Sequence, residues 1–229
     1  MIQKQTWLYN QKPIPTKRML LTPMSADELS EKIQKETDAH LKSAYTEMRD
    51  CVLQHPDQAL WHTAWRMTLK DTGETLGDLG FHGVPVDKTV EIGYGVLEQY
   101  RNKGYATEAV HALADWAFTQ TNVYFARAIT DEGNTASERV LEKVRFKKLP
   151  LDPAAASLED GQTLWELEKP ATMWMAIYMC IGMGAGGAIG SASDNYSMGM
   201  VIGMSVGLAL GSALDAQDRT QRKRAKDTE

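Results

Sequence analysis

The sequence predicts a mixed α/β fold followed by a C-terminal helical hairpin. Three observations carry that prediction. Val90, Ile92, Tyr94 and Val96 alternate with Glu91, Gly93 and Gly95, the period of a half-buried strand. A basic, glycine-containing loop follows, and Ala106, Ala109, Val110, Leu113 and Ala117 then recur at helical spacing. Composition breaks near Pro170: Ala171 to Ser191 gives 21 residues without a charge and Tyr196 to Leu214 gives 19 more. A chain of 229 residues has room for one full domain and an appendage. The boundaries expected are 1–170 for the α/β domain and 171–229 for the hairpin with a basic tail.

Arg18 to Met24 reads as a first strand, with Pro23 confining it to an edge or an end. Ser25-Ala-Asp-Glu28 has the form of a capping box. Leu29, Ile33, Leu41, Ala44, Met48, Cys51 and Val52 then mark one or two amphipathic helices before Pro56. Trp61 to Leu69 and Thr75 to Phe81 read as a hairpin turned by Asp71-Thr72-Gly73-Glu74. A loop, His82 to Thr89, leads to the central strand. Val123 to Ile129 and Leu164 to Leu167 read as further strands, for a sheet of about six or seven with helices on both faces. Between these two strands, Asn134 or Thr135 caps a helix with Val140, Leu141 and Val144 buried, and Thr135-Ala-Ser-Glu138 repeats the capping-box form.

Bulk properties narrow the function. A net charge of -5 argues against general nucleic-acid binding. Two cysteines, Cys51 and Cys180, make neither a disulfide framework nor a cysteine zinc cluster. Met1 to Lys17 is polar and interrupted by Pro13 and Pro15, without the apolar core of a secretory leader, so a cytoplasmic catalytic domain is expected. His82 and His111 have no partner at ligand spacing and read as surface or core histidines. No metal is expected.

The loop after the central strand has the chemistry of an anion site. The first N–H groups of a helix lack intrahelical partners and its dipole favours negative charge there. Gly104 permits close approach of the backbone, and Arg101 and Lys103 add positive charge. It is not a Walker loop, because no Gly-Lys-Ser/Thr ends it, and the glycines do not fit the dinucleotide fingerprint.

Arg101-x-x-Gly104-x-Ala106 resembles the acyl-CoA pyrophosphate loop of the GNAT N-acetyltransferases, Gln/Arg-x-x-Gly-x-Gly/Ala. The continuation Gly-Tyr-Ala-Thr-Glu-Ala is similar to the branch that includes the ribosomal-protein N-terminal acetyltransferases. Asn134-x-x-Ser137 followed by Leu141-Glu-Lys-Val144-Arg-Phe146 resembles a second signature of that family, with Arg145 where glycine is usual. The resemblance spans roughly Thr16 to Lys169. It implies the acetyltransferase sheet, with the segment after the first strand walling the acceptor site. It also implies acetyl-CoA as co-substrate and direct attack by a primary amine in a ternary complex. The acceptor would be a protein N-terminus, an amino sugar, a polyamine or an antibiotic.

By that resemblance Arg101, Asn102, Lys103, Gly104, Tyr105, Ala106 and Thr107 hold the diphosphate. Val96 and Leu97 meet the pantetheine through their backbone, and Asn134 bonds the pantetheine or adenylate portion. Asn134 is also an N-cap by type. Glu91 is the candidate general base, the alternative being a solvated or salt-bridged strand glutamate. Ser137 is the candidate donor to the departing sulfur, the alternative being a helix-start residue, and the tyrosine that many relatives use is missing between Asn134 and Phe146. Tyr94 and Tyr105 line the cleft or pack. A second function class also fits: a non-catalytic acyl-CoA-binding or membrane-associated module that keeps the fold.

In the C-terminal part, Gly182, Gly186 and Gly190, and then Gly199, Gly203, Gly207 and Gly211, recur every four residues. On a helix that makes a side-chain-free face suited to close backbone contact, as between transmembrane helices. With Ser191 to Asn195 as the connection and Arg219, Arg222, Lys223, Arg224 and Lys226 at the end, the pattern predicts a glycine-zipper hairpin. It serves as a membrane anchor with both ends inside, or as a self-association surface.

Overall fold

The computed structural model describes residues 12–150 and 161–226. Most of the polar start, Met1 to Lys17, lies outside the described residues, as does the side chain of Lys226. The chain divides into two compact units, 1–169 and 170–229.

Among the described residues the first unit is built on one sheet of eight strands, in the spatial order β1-β2-β3-β4-β5-β6-β8-β7. The strands are β1 (Ile14–Pro15), β2 (Met19–Pro23), β3 (Ala64–Leu69), β4 (Thr75–Phe81), β5 (Thr89–Val96), β6 (Phe125–Asp131), β7 (Lys147–Lys148) and β8 (Gln162–Glu168). The helices of this unit are α1 (Ala26–Lys35), α2 (Ala39–Gln54), α3 (Ala59–His62), α4 (Tyr105–Thr119) and α5 (Thr135–Val144). The count exceeds seven because two-residue strands flank β2 and β8; neither is long enough to show a period. Pro23 ends β2, one of the two places expected for it, and the strand is internal because β1 and β3 pair its two sides.

Trp61 departs from the expected strand. Pro56 opens a 3-10 turn that runs into the single-turn helix α3, and the Thr63 N–H closes it on Ala59 O. The Trp61 ring then stacks at 4.8 Å on Phe81 and at 5.1 Å on Trp116. The box at Ser25 forms in both directions, Glu28 N–H to Ser25 Oγ and Ser25 N–H to Glu28 Oε2. Thr135 does not cap its helix. Asn134 does, accepting from the Ser137 N–H at 3.2 Å. Arg145 keeps the helix ending that glycine usually makes: it adopts φ 75°, ψ 25°, while its N–H and that of Phe146 bond back into the last turn.

Strand alternation sends Trp65, Met67, Leu79, Phe81, Val90 and Ile92 to one face. There Ala109, Val110, Leu113, Ala114 and Ala117 of α4 complete the main core. The other face takes α1 and α2, with Leu29, Tyr45 and Val52 packed near Ala64. Asp78 points to this second face and accepts from Tyr45 Oη at 3.1 Å and from Lys32 at 2.7 Å.

In the second unit α6 (Trp174–Ala192) and α7 (Tyr196–Lys226) form an antiparallel hairpin. The glycines face each other. A Cβ on Gly203 would lie 2.8 Å from Gly186 Cα, and one on Gly190 3.0 Å from Gly199 Cα. The basic end is not a loose tail: α7 continues through it. Asp215 caps α6 by accepting from Trp174 and Met175 N–H at 3.0 and 3.2 Å, and Arg222 bonds Asp218 and Pro170 O.

Candidate active site

The site grows out of the parallel pairing of β5 with β6. β5 pairs β6 only from Thr89 to Glu91 against Phe125 to Arg127. Beyond that, β6 stays with β8 while β5 stays with β4, and the two strands part. The parting opens a cavity of about 330 Å3 whose lining includes His82, Glu91, Gly93, Tyr94, Asn134 and Ser137.

Register decides which backbone groups face the gap. His82 N–H bonds Glu91 O and Leu97 N–H bonds Leu76 O, so odd-numbered residues of β5 direct their polar groups toward β4. Those of Tyr94 and Val96 therefore point to the side that β6 has left. Leu97 corrects the sequence expectation, since its N–H is already committed to Leu76. β5 sits close to β4 because Gly77, at φ 148°, has no Cβ; one there would run into the Gly95 carbonyl and lie 3.0 Å from Val96 Cα.

The loop ahead of α4 supplies a second element. Glu98–Tyr100 is a 3-10 turn, Asn102 sits at φ 61°, and Gly104 at φ 78° is the N-cap, with no side chain capping the helix. The N–H groups of Tyr105, Ala106 and Thr107 thus head a helix whose positive end is open. Arg101 is exposed and folds back so that Nε reaches Val96 O at 3.3 Å, which brings a cation to the mouth of the gap. Lys103 lies over the Tyr100 ring.

An acid in the first helical turn would oppose an anion there, and Glu108 occupies that turn. Its charge is answered. Burial disfavours ionisation, but Thr16 Oγ1 at 2.6 Å, Arg18 N–H at 2.7 Å and Arg18 Nε at 2.8 Å hold the carboxyl below the usual range. Arg18 also donates to Lys103 O at 3.0 Å and stacks on Tyr105 at 4.3 Å. It buttresses the loop, a role with no signal in a sequence that separates the two by 85 residues.

Tyr94 and Ser137 meet across the gap. Their hydroxyls are 2.6 Å apart, joining β5 to the start of α5. Burial pushes the Tyr94 phenol above its ordinary value, with the Ser137 contact working the other way, so Tyr94 remains a donor throughout the neutral range. In sequence Tyr94 reads only as a cleft-lining or packing residue, since Ser137 lies 43 residues away. Asn134 caps α5 and lines the cavity at once. Glu91 lies on the opposite, α1–α2 face, and His82, a surface histidine as expected, stands beside it, Nδ1 to Oε1 3.4 Å, at the lining of the cavity. His111 is a surface residue paired with Asp115. Among the described residues no three His, Cys, Asp or Glu side chains gather to hold a metal.

Comparison with known proteins agrees with this geometry. The acetyltransferase (GNAT) domain model matches residues 16–147, more than half of the chain. An uncharacterized N-acetyltransferase of Bacillus subtilis, YjdG, is 34% identical over 84 residues, 36% of this chain and 50% of its own. An uncharacterized N-acetyltransferase of Bacillus licheniformis, p20, is 32% identical over 106 residues, 45% of this chain and 60% of its own. The chain thus spans about half the length of these curated relatives. Among solved structures, a GNAT acetyltransferase from Bacillus anthracis superposes with TM-score 0.52 at 20% identity, covering 68% of this chain and 98% of that one. The ribosomal-protein alpha-N-acetyltransferase RimL, solved with coenzyme A, does so with TM-score 0.52 at 16% identity, covering 69% and 98%. At such identities the structures speak for the fold. The parted β5 and β6, the open helix end after Gly104 and the matched domain model lead to one assignment: the chain belongs to the GNAT acetyltransferase family.

Proposed function

We propose that residues 1–170 form an acetyl-CoA-dependent N-acetyltransferase that acetylates a primary amine by direct attack in a ternary complex. The observation that carries this reading is the gap between β5 and β6 leading to the uncapped N-terminus of α4. Arg101, Asn102, Lys103 and the N–H groups from Gly104 to Thr107 bind the diphosphate, by charge and by helix-terminal donors. Backbone groups of Tyr94 and Val96 take the pantetheine arm in place of a neighbouring strand, and Asn134 borders it.

The two faces of the sheet divide the chemistry. The acceptor ammonium enters from the Glu91 face and gives up a proton there. The amine lone pair then attacks the thioester carbon; the oxyanion collapses, the C–S bond breaks, and the nitrogen loses its second proton, which makes good the one passed to sulfur through Tyr94 and Ser137. Ser137 donates to the sulfur that leaves, and the Tyr94 hydroxyl donates in turn to Ser137 Oγ. The products are the amide, the free thiol and one proton released to solvent. By family likeness, a protein N-terminus or a small amine is the acceptor class.

The hairpin acts as a membrane anchor in this reading. Its glycine faces are spent on each other, so Ile177, Ile181, Ile189, Val201, Ile202, Leu208 and Leu210 face outward and exposed. Both helices have the length and composition to cross a bilayer. At 1.5 Å per residue α6 is about 28 Å long, close to the hydrocarbon thickness of about 30 Å. Trp174 and the cations of α7 mark the same end of the hairpin, where interfacial anchors sit.

Calorimetry of the purified protein with acetyl-CoA, followed by thiol release with a panel of amines, tests the enzyme. No heat with the coenzyme refutes the site, and tight binding without turnover on any amine points to a non-catalytic acyl-CoA module. Full-length protein recovered as a soluble monomer after cell fractionation refutes the anchor.

A further inference from the structure

His82 and Glu91 are a hydrogen-bonded cross-strand pair, so their side chains rise on the same face of the sheet. The Glu91 carboxylate faces His82 Nδ1 at 3.4 Å. The other ring nitrogen points elsewhere. A Cβ on Gly93 would lie 2.7 Å from His82 Nε2, so that nitrogen overhangs β5 where the strand has already left β6. The ring lies flat there because Gly93 has no side chain. His82, Glu91, Gly93 and Tyr94 all line the cavity, and the histidine is 57% exposed, open to an incoming molecule. The other titratable groups around it are Tyr94 and Asp131 across the cavity, and His62 of α3, which lies beside Gly83.

We propose that His82 is the group that takes the proton from the acceptor ammonium, and that Glu91 positions it. This rests on the acetyltransferase reading and settles which atom of the site is the base. With Nδ1 facing the carboxylate, a proton held on that nitrogen would leave the lone pair on Nε2, the nitrogen that overhangs β5 beside the gap. An ammonium N–H bond breaks and its proton moves to Nε2. The freed nitrogen pair bonds the thioester carbon, and the imidazolium so formed faces a carboxylate. Glu91 is a positioning residue in this scheme.

The test uses the full chain, acetyl-CoA, and spermidine, glucosamine and a free-amine serine peptide as acceptors. The kcat/KM profile of the wild type falls on the acid side with unit slope, as one basic group is protonated. His82→Gln loses that limb and about 10²–10⁴-fold in kcat, with acetyl-CoA affinity unchanged. Glu91→Gln keeps the limb and lowers kcat. Added imidazole restores turnover to His82→Ala, which a purely structural role does not allow.

A readout free of turnover accompanies these. Nitrogen-15 histidine spectra show His82 with its proton on Nδ1 in the wild type, and a mixed population in Glu91→Gln. His82→Gln within threefold of wild type with its acidic limb intact, or an Nε2–H tautomer in both proteins, overturns the proposal. Absence of heat with acetyl-CoA overturns instead the acetyltransferase reading on which it rests.

Discussion

Replacing Arg145 by glycine should make the first unit more stable, although it removes a charge and adds flexibility. Arg145 ends α5 at φ 75°, ψ 25° with an exposed side chain. The left-handed conformation costs an ordinary residue about 1–2 kcal/mol, because Cβ crowds the adjoining peptide, and costs glycine almost nothing. Against that, glycine loses more backbone entropy on folding, about 0.5–1 kcal/mol. The backbone bonds from residue 145 to Glu142 O and from Phe146 to Leu141 O survive the change. The balance is a gain of about 0.5–1 kcal/mol, which for a unit of this size raises Tm by about 1–4 °C. Urea unfolding followed by tryptophan fluorescence measures it, since Trp61, Trp65, Trp116 and Trp165 all lie in the first unit. A loss of stability in Arg145→Gly would refute the reasoning, and would mean that the guanidinium makes a contact worth more than the strain.

Other consequences follow from the same geometry. Arg101→Glu should weaken acetyl-CoA binding about tenfold to a hundredfold by calorimetry, the worth of a charge-assisted contact; an unchanged Kd removes the residue from the loop's function. Tyr94→Phe should lower kcat without altering the acetyl-CoA Kd, since it removes only the hydroxyl that meets Ser137; unaltered kcat leaves that hydroxyl without a role. Glu108 has a depressed carboxyl pKa, so its stabilising contribution is present above the ordinary carboxylate range and is lost as pH falls through that range and below. Glu108→Gln should therefore be less stable near neutrality and show a shallower acid limb in urea midpoints between about pH 6 and 3; parallel limbs contradict it. In the hairpin, Gly203→Ala should raise amide exchange across α6, because its Cβ meets Gly186 Cα at 2.8 Å. Gly184→Ala, with open space around it, should not; equal effects deny the glycine contact.

How much of this was legible depends on how far apart the cause and the consequence lie along the chain. The strand before the loop and the helix after it were readable because period two and period 3.6 are local, and Gly104 stands where the turn needs φ 78°. Elements β4 and α1 were equally local, one bounded by its turn and the other by Ser25 and Glu28. Trp61 misled because alternation of apolar residues over three positions fits a strand or a single helical turn, and Pro56, five residues earlier, decides between them. Leu97 misled for another reason. Resemblance carries a residue to a place on a strand, but which edge its N–H faces is set by the pairing of β5 with β4, and an offset of one residue exchanges the two edges.

The same argument explains why the partners of Arg18 and His82 do not show in the sequence. Arg18 reaches Lys103 and Glu108 only after β2 is laid alongside β3 and α4 is packed below, so its partners are invisible in any window of sequence. His82 and Glu91 are nine residues apart, with Gly83 and Pro85 between them, and that stretch reads as loop. Their meeting follows from the register of one hairpin: Phe81 opposite Ile92 places His82 opposite Glu91, and Gly80 opposite Gly93 clears the floor beneath the ring. A histidine that looks solitary in sequence thus acquires a carboxylate on one nitrogen and open space at the other. Gly93→Ala puts that inference at risk most directly, since a methyl 2.7 Å from Nε2 must lift the ring. If turnover depends on the ring lying over β5, kcat should fall in Gly93→Ala while coenzyme binding holds; undiminished kcat would mean that the ring's position is incidental to the chemistry.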